Sequence, residues 1–321
     1  MSRKLAIVIP AYKKAYFQES LDCLANQTCM DFCLYIGDDA SPENLEEIVL
    51  PLSSKMPIKY HRFAAHIGAK HIVDQWKRCV ELIRGEEWIW LFSDDDKVDR
   101  IAVEAFWKAV EETNGKYDIY SFNTSVIDKI GQIISPPPDI PICESSGEMA
   151  FHLLEGRRAN CMADHIFSSA IYNKKNGFVK TVYGQGADWA TSILFSGDNG
   201  IRFIQDALVY WRYSGDNISS VASKNKSVMI EGHFQFIRWI LCHFKFLQGK
   251  ESSQEEYLKI RNAAYKNLIR IINEHYQAVP ISKLFAFVWL LRKYLKVSWV
   301  EVLSQVFMLN IVTRKYLKKA K

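Results

Sequence analysis

Trp88-Ile-Trp-Leu-Phe-Ser-Asp-Asp-Asp96 sets a short aromatic and branched run directly against three adjacent carboxylates. An apolar run of this length after Gly85 reads as a buried strand. Neighbouring carboxylates repel one another, and burial would disfavour their charged forms, so the triplet needs solvent or a cation. At the C-terminal end of a parallel strand it stands where open α/β sheets bind ligands. An all-oxygen donor set suits Mg²⁺ or Mn²⁺. Taken alone the triplet is equally a solvated acidic turn, and the segments around it decide between the two.

Upstream, Leu5-Ala-Ile-Val-Ile9 is a continuous apolar run closed by Pro10, the pattern of a strand buried on both faces. Phe17, Leu21 and Leu24 mark a helix within Ala15–Gln27, and Phe32–Ile36 a second strand ending at Gly37-Asp38-Asp39. Ser41-Pro42 reads as a cap and first position of a helix with Glu43 in its first turn. A weaker strand over Ile58–Phe63, a helix over Gly68–Ile83 and another over Asp99–Glu112 complete the first 116 residues. This alternation predicts βαβ units and a parallel sheet. After Lys116 the rhythm changes: a strand at Tyr117–Phe122, a hairpin turning at Lys129-Ile-Gly131, and the stiff break Ser135-Pro-Pro-Pro138. The segment up to Ser220 is mixed, and from Val228 onward the pattern is helical.

The bulk properties are those of a packed globular protein: 321 residues, 49% hydrophobic and 24% charged. Seven scattered cysteines without a C-x-x-C pair argue against a disulfide framework or a zinc site and fit a reducing compartment. No signal-like leader and no apolar stretch near ~18 residues is visible, so a cytoplasmic location is expected. The net charge of +5 is unevenly spread, because Ile281–Lys321 holds nine Lys/Arg against the single acid Glu301. That imbalance points to an anionic partner for the tail. Nucleic acid is not expected, since no recognised binding motif accompanies the charge.

The ordered series Val8-Ile-Pro-Ala-Tyr12, Gln27-Thr28, Asp31-Phe32, Ile36-Gly-Asp-Asp-Ala-Ser41, Ser93-Asp-Asp-Asp96 and Gly186-Ala-Asp-Trp189 resembles the inverting family-2 glycosyltransferases of the GT-A fold. The resemblance spans roughly residues 4 to 220. It implies a mixed, mainly parallel sheet flanked by helices, with a catalytic domain over 1–222. That domain would divide into a nucleotide-binding half (1–116) and an acceptor-binding half (117–222), followed by a helical C-terminal region over 223–321. It also implies roles. Pro10 and Tyr12 would lie against the nucleotide, Tyr12 by stacking on the base, although it would equally serve to cover the sheet edge. Asp39 would accept a hydrogen bond from the base, with Asp38 shaping the loop. Asp94 would reach the ribose, and Asp95 would hold Mn²⁺ or Mg²⁺, with Asp96 as the secondary candidate. Asp188 would be the catalytic base, a role compatible with capping the helix after it. Arg212 would approach the diphosphate. Two departures stand out: Lys13 replaces the usual Asn after Tyr12, and Ser214 falls where the family has a metal-site His, a place water or Asp216 would fill. His66-Ile-Gly68 stands where the family has N-x-G, Gly68 allowing close backbone approach and His66 within reach of the nucleotide. His165 is a weaker candidate for the acceptor side.

These readings converge on a metal-dependent transfer of one sugar, expected from a UDP-sugar, to a glycan or lipid-linked acceptor in polysaccharide assembly. The alternative is a non-catalytic nucleotide- or glycan-binding protein that keeps the fold. A nucleotidyltransferase is disfavoured because Pro10-Ala-Tyr-Lys-Lys14 lacks a glycine-rich phosphate loop. In the tail, Leu284, Val288, Leu291 and Leu295 form one helical stripe beside Arg292, Lys293 and Lys296. A second helix is expected to carry Trp299, Val302, Val306 and Leu309. Apolar faces beside cations suit an anionic membrane surface, here the inner face of the cytoplasmic membrane. The alternative is a helical bundle packed on the catalytic domain.

Overall fold

The computed structural model describes residues 4–158, 160–215, 217, 226–247, 254–276 and 278–309. Asp216, the division at 222/223 and the basic stretch Arg314–Lys321 lie outside the described residues.

Ten strands among the described residues form a single sheet. Its centre is β1 (Leu5–Ala11), flanked in parallel by β2 (Phe32–Asp38) and β4 (Trp88–Leu91), with β3 (Ile58–Arg62) outside β2. Beyond β4 the sheet turns mixed. β9 (His165–Ser168) runs antiparallel between β4 and β6 (Ile119–Ile127), and the long β10 (Ile201–Arg212) lies parallel to β6. Two residues of β5 (Lys97–Val98) close that edge against β10. The short strands β7 (Ile133–Ser135) and β8 (Cys143–Glu144) pair with β6 and β10, and β7 completes the expected hairpin.

Strand side chains alternate between faces, and β1 is apolar at both sets of positions. Leu5, Ile7 and Ile9 join one core with Phe17, Leu21 and Leu24 of α1 (Phe17–Ala25) and with Phe106 of α4 (Ala102–Glu112). Ala6 and Val8 join the other core. That core is shared with α3 (Ile72–Val80), α5 (Ser146–Glu155), α7 (Ala187–Ser196) and the C-terminal helices α8 (Lys226–Leu247) and α9 (Gln254–Ile271). Two further short helices, α2 (Glu46–Val49) and α6 (Ser169–Lys174), lie at the periphery.

Local chemistry moves two expected boundaries. The helix read from Ser41-Pro42 starts only at Glu46, because Asp38 accepts from the Ser41 N–H (2.7 Å) and Ser41 Oγ accepts from the Glu43 N–H (3.1 Å), forming a turn instead. The helix read over Gly68–Ile83 begins at Ile72, because the Ile67 and Gly68 N–H groups are turned onto the Asp39 carboxylate (2.9 and 2.7 Å).

The tail corrects a third expectation. Α pair of short helices, α10 (Leu284–Trp289) and α11 (Trp299–Phe307), is joined by a wide π-type turn over Leu290–Tyr294. Leu291 and Leu295 are buried, and Leu284 and Val288 pack against the same core, so the stripe read as membrane-facing points inward. Apolar burial against the large core is available to it within the protein, and the fold takes it. Among the described residues no helix is long and apolar enough to cross a membrane.

Candidate active site

The C-terminal ends of the parallel strands open into one cavity of about 660 Å³. It gathers Pro10 and Tyr12 from the end of β1, Asp39 from β2, Asp94, Asp95 and Asp96 from β4, and Asp188 from the start of α7. Its far wall is apolar and aromatic, including Trp76 of α3, Trp189 of α7, Trp211 of β10 and Met229 and Phe236 of α8.

Asp94 shapes the rim. Its Oδ2 accepts from the backbone N–H of Tyr12 (2.7 Å) and Lys13 (2.9 Å), tying the loop after β1 to the end of β4. Burial pushes its pKa up, and those two N–H donors pull against the shift. Asp95 is partly open to the cavity, and burial together with the charge of Asp94 pushes its pKa up to about 7. Asp96 is 1% exposed, accepts from the Arg212 N–H (2.9 Å), and is pushed well above the ordinary carboxylate range by burial and by Asp95.

Arg212 does not reach the cavity wall. The guanidinium is fully buried, donates through Nε to the Asp95 carbonyl (2.8 Å), pairs with Glu19 (2.9 Å) and lies 4.3 Å over the Tyr16 ring. Its Nη1 also donates to the Asp128 and Lys129 carbonyls (3.4 and 3.2 Å), so every direction of its fork is taken by protein and it braces the acidic loop from behind; meeting the diphosphate would require it to leave these contacts. Near the position of Ser214, a residue that sequence reasoning passed over comes forward. Asn217 lines the cavity, donates from Nδ2 to the Arg212 carbonyl (2.9 Å) and lies 3.4 Å from Asp95 Oδ2, while its Oδ1 accepts from the Ser214 N–H (3.0 Å). Asn217 lies in the same Tyr210–Ser219 segment as Arg212 and Ser214, where the charged and metal-site positions carry the signal, and an amide has no charge to single it out.

Asp39 is 2% exposed, and its carboxylate is crowded with donors: Ile67 and Gly68 N–H, the Arg78 guanidinium, and His66 Nδ1 at 2.7 Å. A Cβ on Gly68 would stand 2.6 Å from Asp39 Oδ2, so glycine is required for this close approach. His66, also on the cavity wall, stacks on Tyr12. His165, the first residue of β9, is buried within the sheet, where desolvation lowers its pKa to about 3, and it is not among the residues lining the cavity.

Asp188 sits in the first turn of α7, whose cap position belongs to Gly186 in a left-handed conformation (φ 68°). The Asp188 carboxylate accepts from the Trp189 N–H (2.9 Å) but does not cap the helix. Burial pushes its pKa up to about 7, the Trp189 N–H opposes the rise, and the charge of Asp164 adds to it. A carboxylate poised near neutrality beside a cavity is suited to taking a proton.

The acidic pair fits a divalent cation. Asp95 and Asp96 offer oxygen donors, their pKa values are raised chiefly by burial and further by the neighbouring carboxylate, and Asp95 faces the cavity. Among the described residues no group of three or more His, Cys, Asp or Glu forms a ready-made cage. A Mg²⁺-type site does not require such a cage, since it takes one or two carboxylates and completes its shell with substrate phosphates and water.

A mixed, mainly parallel sheet with helices on both faces, a carboxylate cluster after its fourth strand and a helical C-terminal region define the GT-A class of nucleotide-sugar-binding folds. Residues 6–136 match the profile of glycosyl transferase family 2, so this stretch of the chain is similar to the glycosyltransferases of that family. A chondroitin synthase of Escherichia coli is 47% identical over 60 residues, which is 18% of this chain and 9% of that protein, so the match spans a small part of the relative's length. Among solved structures, S. aureus TarS 1–349 in complex with UDP-GlcNAc superposes with a TM-score of 0.57 at 15% identity, covering 99% of this chain and 92% of that one. A mannosyltransferase from Pyrobaculum calidifontis in complex with GDP-Man and Mn²⁺ superposes at 0.50 with 13% identity, covering 97% and 86%. At these identities the structural likeness concerns the fold.

Proposed function

We propose that the protein is a divalent-metal-dependent, inverting glycosyltransferase that moves a sugar from a nucleoside diphosphate sugar, most simply a UDP-sugar, to a glycan or lipid-linked hydroxyl acceptor. One observation carries the reading: Tyr12, Asp39, Asp95 and Asp188, each placed by a different segment, line a single cavity at the strand ends. Tyr12 offers an aromatic face to the base and Asp39 an acceptor for a base N–H. Asp95, with Asp96 behind it, would hold Mn²⁺ or Mg²⁺, and the cation would neutralise charge on the diphosphate leaving group. Asp188 takes the proton from the acceptor hydroxyl. The acceptor oxygen then bonds to the anomeric carbon as the bond to the diphosphate breaks on the opposite face, inverting the centre. Trp76, Trp189 and Trp211 give the acceptor side aromatic faces that suit the C–H surfaces of a sugar ring or an apolar carrier. The setting we propose is polysaccharide assembly on the inner face of the cytoplasmic membrane.

One feature favours a non-catalytic binder: the Asp39 carboxylate already has four donors around it. The separating experiment is hydrolysis of nucleotide sugars with and without Mn²⁺. Turnover of one donor that requires the metal and is lost in Asp188→Asn supports the enzyme. Binding of nucleotide without turnover of any donor, in the presence of candidate acceptors, supports the scaffold.

A further inference from the structure

The helix pair at the end of the described chain is apolar on both sides. Its inward side joins the core through Phe287, Leu291 and Val302. Its outward side carries Phe285 (84% exposed), Trp289, Trp299, Val300 (81%), Leu303 and Phe307. The rows Phe285–Trp289 and Trp299–Leu303–Phe307 repeat at a spacing of four, so each forms one face of its helix. Large aromatic and aliphatic side chains concentrated in this way on a folded surface mark an interaction site.

Charge selects the partner. Arg292 lies 4.7 Å over the Trp299 ring, joining the two helices, and Lys293 lies 4.6 Å over Trp289. Lys296 is exposed in the link between the helices. Residues 281–309 hold Lys283, Arg292, Lys293 and Lys296 against the single acid Glu301, and Glu301 accepts a hydrogen bond from the Tyr265 hydroxyl (2.6 Å). A second copy of this chain would bring the same positive field to the same face and be repelled, whereas an anionic surface is attracted. Tryptophans paired with Lys and Arg, beside aliphatic side chains that project outward, match the composition of helices that lie in a lipid headgroup layer.

We propose that the outward face of α10 and α11 docks on an anionic lipid bilayer, with Phe285, Trp299, Val300 and Leu303 entering the interface and Arg292, Lys293 and Lys296 meeting lipid headgroups. Among the described residues no helix is long and apolar enough to span the bilayer, so this face would rest on it. The face is the opposite of the Leu284–Leu295 stripe, which packs inward. Two helices separate it from the cavity: Phe234 of α8 stacks on Phe287 of α10 (centroids 5.9 Å), while Phe236 of the same helix lines the cavity. A lipid-carried acceptor would therefore arrive about two helix diameters from the site, ~20 Å. That consequence rests on the transfer reaction, but the docking surface does not.

The test is co-sedimentation of the full chain with vesicles of phosphatidylcholine alone or with 30% phosphatidylglycerol (about one third, a usual anionic load), across a salt series. The expected result is binding at least tenfold stronger to the anionic vesicles at low salt, with a residue of binding that persists at high salt because apolar burial is unscreened. The variant Phe285→Ser/Val300→Ser/Leu303→Ser should lose the salt-resistant part, and Lys293→Glu/Lys296→Glu should lose at least tenfold at low salt. Melting curves establish that the variants fold. In the unaltered chain, tryptophan emission should be quenched by lipids brominated near the headgroup end of their chains. Absence of quenching, unchanged vesicle binding in folded variants, or a dimer in sedimentation velocity that the triple variant turns into monomer would each overturn the proposal.

Discussion

His66 lies face to face with Tyr12, the ring centroids 4.1 Å apart with 21° between planes, while its Nδ1 is 2.7 Å from Asp39 Oδ2. A planar ring stacked on Tyr12 and bonded to Asp39 makes the two contacts proposed for the base of the donor. On the proposed reading His66 stands where the base would lie, and a nucleotide would have to move it. When binding requires a less populated conformer, apparent affinity falls by the fraction competent. His66→Ala should therefore tighten UDP binding a few-fold in calorimetric titration, and Tyr12→Ala should weaken it by roughly tenfold, the lower end of base–aromatic stacking. Loss of affinity in His66→Ala would instead make His66 a direct ligand of the nucleotide.

Removal of the cavity-facing carboxylate tests the metal. Asp95→Asn should abolish the Mn²⁺ dependence of nucleotide binding, followed by the Mn²⁺ paramagnetic resonance signal. The fold should not suffer. A carboxyl raised from 3.8 to about 7 binds protons more tightly when folded, so above pH 7 its ionised form subtracts from stability. The Asn variant should melt at the same temperature or higher at pH 8. Mn²⁺ binding that survives the substitution would move the site elsewhere.

Arg212 separates bracing from binding. It is fully buried and bonded to the Asp95 carbonyl and Glu19, so replacing it by Met strands those partners. Glu19 is 49% exposed and can turn to solvent, so the loss rests mainly on the Asp95 carbonyl left without its donor, about 1–3 kcal/mol. Urea unfolding of Arg212→Met should show that loss, and Arg212→Lys should recover part of it by keeping the charge without the fork. If stability is unchanged while UDP affinity falls more than tenfold, the guanidinium meets the diphosphate after all.

The central strands were legible because β1, β2 and β4 are continuous apolar runs, the signature of burial on both faces. The short β5 and β8, two residues each, are held by pairing with β10 and have no periodicity to read. Asp39, Asp95 and Asp188 stood out as motif carboxylates, and the fold brings all three to the cavity. The direction of Arg212 was not readable, because an Arg at a strand end can point to ligand or core with the same spacing. Nor was the inward face of α10, since Leu284–Leu295 and Phe285–Trp289 are both apolar rows on one helix. The contribution of Met229 and Phe236 to the cavity is a long-range consequence of α8 packing over α7.

Asp188 gives the last test, because it links burial to rate. Its carboxyl is lifted to about 7 chiefly by desolvation, so the basic form grows as pH rises through that value. Turnover under saturating donor and acceptor should climb between roughly pH 6 and 8 and then level, the profile of one essential base. Asp188→Asn keeps the shape and the contact to the Trp189 N–H through its side-chain oxygen but cannot take a proton. kcat should fall about 10²–10⁴-fold while UDP affinity stays within a few-fold, since the base acts on the acceptor and only in the transition state. Stability supplies an independent sign check. The folded pKa lies above the unfolded 3.8, so stability is lost as pH rises from 3.8 to about 7 and the full deficit is present above 7, and Asp188→Asn should raise the melting temperature at pH 8 more than at pH 5. A flat pH profile in the unaltered enzyme together with an unchanged rate in Asp188→Asn would assign proton removal to another group. Loss of UDP affinity in step with kcat would place Asp188 on the donor instead of the acceptor.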